Sequence, residues 1–135
     1  MSKLIFVNLP VKNLVKTKEF FARLGFKYNP QFTDENAACM VISQEIFVML
    51  LAENSFESFT KKPITDTRKS SEVIVALSAG SRQEVDEFAD RALAAGGTSV
   101  SEAQDMGFMY SRNFRDPDGH MWEILYMDPS HIDPF

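Results

Sequence analysis

At 135 residues, with 44% hydrophobic content and a net charge of −5, the chain has the size and composition of one compact domain with a real core. It carries no basic run, which argues against a nucleic-acid partner, because binding a phosphate backbone needs clustered Lys and Arg. No window approaches the roughly 20 apolar residues of a membrane span, MSKLIFVNLPVKN is too short an apolar run for a secretory leader, and the single cysteine forms neither an internal disulfide nor a thiolate cluster, so the expected location is the cytoplasm.

Residues 4–9 form a short apolar run suited to a buried strand, and Pro10 is expected to end its pairing. Val11, Leu14, Phe20, Phe21 and Leu24 recur at helical spacing, which predicts a helix over 15–24 stopped by Gly25. Three strands follow over 26–32, 37–43 and 46–51, separated by the polar turn Thr33-Asp34-Glu35-Asn36 and a break at Gln44-Glu45. Cys39 falls in the second of them, within AACMVIS, where an inert buried thiol is expected. From 52 to 71 the pattern weakens, with Lys61, Lys62, Pro63 and Asp66 scattered between Phe56, Phe59 and Ile64. A polar connection of this length reads either as a lid or as a plain crossover with one helical turn.

Residues 73–77 restart the same order. Ser81 is a good N-cap, Glu84 completes a capping box, and Val85, Phe88, Ala89, Ala92 and Leu93 supply the stripe of a helix over 83–95 that stops at Gly96-Gly97. Strands over 98–103, 108–114 and 121–127 close the chain. The βαβββ order thus occurs twice in one domain, as repeat one over 1–52, a connector over 53–71, repeat two over 72–127 and a tail over 128–135. Pro129 and Pro134 predict an extended tail for His131, either solvated or folded over a neighbour.

In the segment NFRDPDGHMWEILYM, Asp116-Pro117-Asp118-Gly119 is turn chemistry and the rest is a final strand. Alternation puts Met121, Glu123 and Leu125 on one face and Trp122, Ile124 and Tyr126 on the other, so one carboxylate sits among apolar neighbours. His120 falls on the Trp122 side and reads as a turn or surface histidine rather than a ligand.

That segment, together with LPVKNLVKTKEFFARLGF, resembles the vicinal oxygen chelate superfamily of glyoxalase I, bleomycin-resistance proteins and extradiol dioxygenases. The resemblance rests on DPDG-x-x-x-E at the end and on Val11-x-Asn13-Leu14, Phe20-Phe21 and Leu24-Gly25-Phe26 at the start, and it spans essentially the whole chain. It implies an α+β fold in which two βαβββ repeats form a curled mixed sheet and a barrel-like cleft, and it implies a homodimer. It further implies four metal-ligand positions, which fall here on Phe6, Met49, Ile74 and Glu123. Only Glu123 can coordinate; Asn8 is a poor ligand for a divalent ion and Glu72 lies at a strand entrance. Neither a metal nor another cofactor is therefore expected, and metal-dependent glyoxalase I activity is not.

The inward positions Phe6, Asn8, Met49, Ile74, Ala76, Met121, Glu123 and Leu125 describe either a small-molecule pocket or a filled barrel. Tyr110 and Arg112 share one face of the seventh strand, next to the last, and read as ligand-binding residues or as solvent-facing ones. Three functions compete on this reading. The first is a metal-free protein that binds a small apolar or aromatic molecule, similar to the bleomycin-resistance branch. The second is a lyase, isomerase or dioxygenase-type enzyme using Glu123 as acid/base or metal ligand. The third is a domain with no ligand.

Overall fold

Strand and helix alternate twice along the chain in this computed structural model, which describes residues 2–132. In the first unit, residues 1–66, β1 (Ile5–Val11) runs parallel to β4 (Ile46–Ala52). β4 pairs antiparallel with β3 (Ala37–Val41), which pairs with the short β2 (Lys27–Tyr28). α1 (Leu14–Arg23) begins where the Asn13 side chain accepts the Lys16 N–H at 3.1 Å, and it stops before Gly25, whose φ of 101° only glycine adopts without strain. Phe20 and Phe21 of α1 are buried, as are Leu9, Val48, Leu50, Ala38 and Met40, which the strand registers place on one sheet face.

α2 (Glu53–Thr60) occupies what the sequence reads as a connector with a single turn, and it packs against β1 and β4. Phe56 and Phe59, three apart, give it an apolar side toward Asn8 and Leu51. Lys61 closes it in the left-handed region at φ 58°, its N–H donating to the Glu57 carbonyl at 2.8 Å. No side chain caps its first turn, so the usual start signal is missing from the sequence.

The second unit, residues 67–135, repeats the plan. β5 (Ile74–Ser78) is parallel to β8 (Met121–Met127), β8 is antiparallel to β7 (Met109–Arg115), and β7 pairs with β6 (Gln104–Asp105). Ser81 caps α3 (Arg82–Ala94) by accepting the Glu84 N–H at 3.1 Å, while the Glu84 carboxylate reaches back to the Gly80 N–H at 2.6 Å. Val85 and Ala89 pack on Ile124, flanked by Leu77, Phe88, Tyr110 and Tyr126. The fold is therefore α+β, with two βαβββ units. Among the described residues no helix is long and apolar enough to cross a membrane.

Three strand boundaries differ from the sequence reading. Pro10 does not end β1, which stays in register as far as Val11 against Ala52; β1 is an edge strand, where a proline without an N–H is tolerated. β2 is cut short because the Asn29 side chain accepts the Gln31 N–H at 3.0 Å and starts a 3₁₀ turn at Pro30–Phe32. The strand expected over 98–103 is reduced to a bridge between Thr98 and Arg115, because the Asn113 side chain takes the Val100 and Ser101 N–H groups at 3.2 and 3.0 Å in place of a ladder. Pro129–His131 forms a 3₁₀ turn rather than an extended tail, and Pro134 lies outside the described residues.

Phe21 is fully buried with its ring edge-on to Phe20 at 5.0 Å, whereas Phe59 is 74% exposed. Phe21→Ala is expected to lower the unfolding free energy by ~3–5 kcal/mol and Phe59→Ala by less than ~0.5 kcal/mol. Urea denaturation followed by circular dichroism measures both, and equal losses would contradict this packing.

Candidate functional site

Phe6, Asn8 and Met49 come together on one sheet face of the first unit, the face opposite Leu9 and Leu50. Asn8 is in register with Met49 and Met49 with Cys39, while Phe6 stacks on Phe47 with ring centroids 5.0 Å apart and planes 14° apart. Phe6 is nevertheless 50% exposed. The Asn8 Nδ2 donates to the Phe6 carbonyl at 3.2 Å. Cys39 is buried, and burial pushes its thiol pKa up, as befits an inert thiol.

Ile74, Met121 and Glu123 come together in the same way on a face of the second unit. Ile74 is in register with Met121 and Ala76 with Glu123, and from the other side Asn113 is in register with Glu123 and Ser111 with Leu125. Ile74 is 55% exposed. Among the described residues no donor bonds to the Glu123 carboxylate. Asn113 stands opposite, but its Nδ2 donates to Ser101 Oγ at 2.7 Å and its Oδ1 accepts from the 100–101 backbone.

Tyr110 and Arg112 are not brought to Glu123. Their register partners are Tyr126 and Ile124, so they project from the opposite face, onto α3. There the Tyr110 hydroxyl donates to Asp86 Oδ1 at 2.6 Å, and Arg112 Nη1 donates to Asp90 Oδ1 at 2.8 Å and to Asp86 Oδ1 at 3.3 Å. Met109, Ser111, Asn113 and Arg115 are the residues of β7 that share the Glu123 face, with Ser111 and Asn113 beside Glu123. Alternation counted back from Glu123 across the hairpin could have found them, had the register of β7 on β8 been known.

The turn before β8 holds a buried cluster that the sequence does not disclose. Asp116 is 5% exposed; its Oδ1 accepts the Asp118 and His120 N–H groups at 2.9 and 3.1 Å and its Oδ2 accepts Trp122 Nε1 at 2.9 Å. Burial pushes its pKa from 3.8 up to about 6, against the opposing effects of His120 and the Trp122 hydrogen bond. His120, far from being a surface residue, is 3% exposed, with Nδ1 2.6 Å from Glu72 Oε1. Thr67 Oγ1 donates to the Asp118 carbonyl at 2.5 Å, and Gly119, at φ 83°, lies so close to Thr67 that a Cβ there would collide with it. The segment before β5 is thereby tied to the turn that launches Glu123.

A metal ion does not fit these residues. Phe6, Met49 and Ile74 offer no oxygen or imidazole donor, and among the described residues no three His, Cys, Asp or Glu side chains come together.

The family model described as Glyoxalase/Bleomycin resistance protein/Dioxygenase superfamily matches residues 3–124. No curated protein gives a significant sequence match. Among solved structures, the hypothetical protein SA1046 from S. aureus is similar at 29% identity and a TM-score of 0.79, over 93% of this chain and 95% of its own. A glyoxalase/bleomycin resistance protein/dioxygenase family enzyme from Burkholderia phytofirmans superposes with a TM-score of 0.79 at 15% identity, covering 93% of this chain and 99% of the other. The fosfomycin resistance protein FosX from Listeria monocytogenes superposes with 0.68 at 20% identity, over 100% of this chain and 96% of its own. At such identities the last two share the fold alone.

The Asp116 cluster makes stability depend on pH. Because folding raises the Asp116 pKa, the folded chain holds this proton more tightly than the unfolded chain does, so its contribution is full below about pH 4 and is lost as pH rises through about 6. Relative to Asp116→Asn, the wild type should lose on the order of 3 kcal/mol across that window, with Glu72 and His120 present in both proteins. Urea denaturation at stepped pH tests this, and a pH-independent difference would refute it.

Proposed function

The chain belongs to the Glyoxalase/Bleomycin resistance protein/Dioxygenase superfamily, and from that premise we propose that it is a binding protein for a small apolar or aromatic molecule, held without a complete metal site. The observation that carries this reading is the exposure of apolar side chains at the positions where the family resemblance expects ligands. Phe6 and Ile74 are each about half exposed, although burial of such a side chain is worth roughly 1.5–3 kcal/mol. Large apolar groups held out of the core, beside Asn8 in one unit and Glu123 in the other, are the composition of a ligand-contacting surface. A homodimer belongs to the same reading, since β1 and β5 are edge strands of their sheets and association would cover them.

A second reading rests on Glu123 alone. A carboxylate without a donor among the described residues, flanked by Ile74 and Met121, suits an acid/base in isomerase or lyase chemistry. The fosfomycin-resistance and glyoxalase-family neighbours supply no substrate for either reading at 20% and 15% identity.

Titration with the neutral dye Nile red should give saturable fluorescence enhancement, and absence of saturation would overturn the binding reading. Metal analysis of untagged protein should find only substoichiometric transition metal; one tightly held equivalent per chain, lost in Glu123→Ala, would restore the metal enzyme. Light scattering at micromolar concentration should return twice the 15.3 kDa chain mass, and a monomer would count against the dimer.

A further inference from the structure

Beside α2 the first unit has a half-open depression of about 350 Å³ lined by Asn8, Leu51, Phe56, Phe59 and Thr60, of which Asn8, Phe59 and Thr60 are exposed. The volume lies at the small end of the ~300–1,000 Å³ range of ligand pockets. The walls are chiefly a leucine and two phenylalanines, and among the described residues no charged side chain lines the space, so a charged occupant would meet no counter-charge there.

The two polar groups in the lining differ in what they have left to offer. Thr60 is engaged at its own helix end, its Oγ1 donating to the Lys62 carbonyl at 3.1 Å and accepting the Lys62 N–H at 3.3 Å. Asn8 Nδ2 donates to the Phe6 carbonyl at 3.2 Å. Since a carbonyl can only accept, this contact fixes which end of the amide is nitrogen and turns Oδ1 away as an acceptor. Among the described residues no donor meets that oxygen. Phe59, 74% exposed, forms an unsealed part of the wall.

We propose that α2 and the strands beneath it form the binding site for a neutral molecule of one or two rings carrying a single hydroxyl or N–H donor, with Asn8 Oδ1 accepting that donor and Phe56 and Phe59 packing on the rings. This deepens the small-molecule reading and rests on it. Recognition here is by acceptor only: a neutral alcohol or phenol satisfies Asn8, whereas a hydrocarbon leaves it unpaired and a carboxylate repels it. α2, the helix hidden in the connector, then supplies half of the site.

The test is binding of 2-naphthol, followed by its own fluorescence, against naphthalene and 2-naphthoate, with Nile red as an independent probe. The wild type should bind 2-naphthol about five- to tenfold more tightly than naphthalene, the usual worth of one neutral hydrogen bond, and 2-naphthoate more weakly than either. Asn8→Leu should abolish the preference for naphthol over naphthalene, and Phe59→Ala, which removes exposed atoms and should fold normally, should weaken both by about tenfold. Glu102→Gln, at an exposed position of the other unit, should change neither. If Nile red binds saturably but 2-naphthol does not, or if 2-naphthol binding survives Phe59→Ala and Asn8→Leu unchanged, this site is wrong while the small-molecule reading stands. If the wild type binds none of the probes, that reading falls as well.

Discussion

Successive side chains of a strand leave opposite faces of its sheet, and in each unit of this protein one face is sealed by a helix of its own. α3 packs Val85 and Ala89 on Ile124, and Phe20 and Phe21 of α1 are buried along with Leu9, Val48 and Leu50. Every even position of β8 near its start is thereby committed to core and every odd one is released from it. That parity makes Trp122 and Ile124 structural and leaves Glu123 available, although the three are consecutive in the chain. A one-residue slip of β8 would bury a carboxylate against Val85 and Ala89, at a cost of several kcal/mol.

The start of β8 is held against such a slip by Asp116. This deeply buried carboxyl is held by three donors, two backbone N–H groups and the Trp122 indole, and even so burial drives its pKa up. The indole that seals the α3 side of the sheet is therefore also the donor that anchors the turn. His120 extends the cluster to Glu72, and Thr67 extends it to the turn's backbone, so the approach to β5 is fastened at two points to the approach to β8. Since β5 and β8 are parallel neighbours, that fastening bears on their register and on the positions of Ile74, Ala76 and Glu123.

The chain keeps the superfamily's architecture and carries Phe6, Met49 and Ile74 on the sheet faces that its helices α1 and α3 leave open. Phe6, Met49 and Ile74 offer contact rather than coordination, and the polar groups on these faces include Asn8 in the first unit and Glu123, Ser111, Asn113 and Arg115 in the second. α2 adds a feature outside the βαβββ repeat. It packs against β1 and β4 and borders a half-open, mostly apolar depression lined by Asn8, Leu51, Phe56, Phe59 and Thr60.

Much of this was legible in the chain itself. Local signals determined the repeated βαβββ order, the two repeat helices and the odd–even division of β8, because Asn13, Ser81 and the glycines after each helix act on neighbours a few residues away. The absence of donors at Phe6, Met49 and Ile74 was equally a matter of residue identity. Tertiary structure alone decided what depended on partners distant in sequence. Tyr110 and Arg112 looked like neighbours of Glu123, but the register of β7 on β8 turned them to α3 and to Asp86 and Asp90. Asp116 and His120 looked like turn residues until folding brought Trp122 and Glu72 to them. α2 had no capping signal and only two phenylalanines to mark its apolar side, so its helix is fixed by the strands it lies on. Propensity and alternation act along the chain, whereas register, burial and long-range hydrogen bonds exist only once the chain has closed on itself.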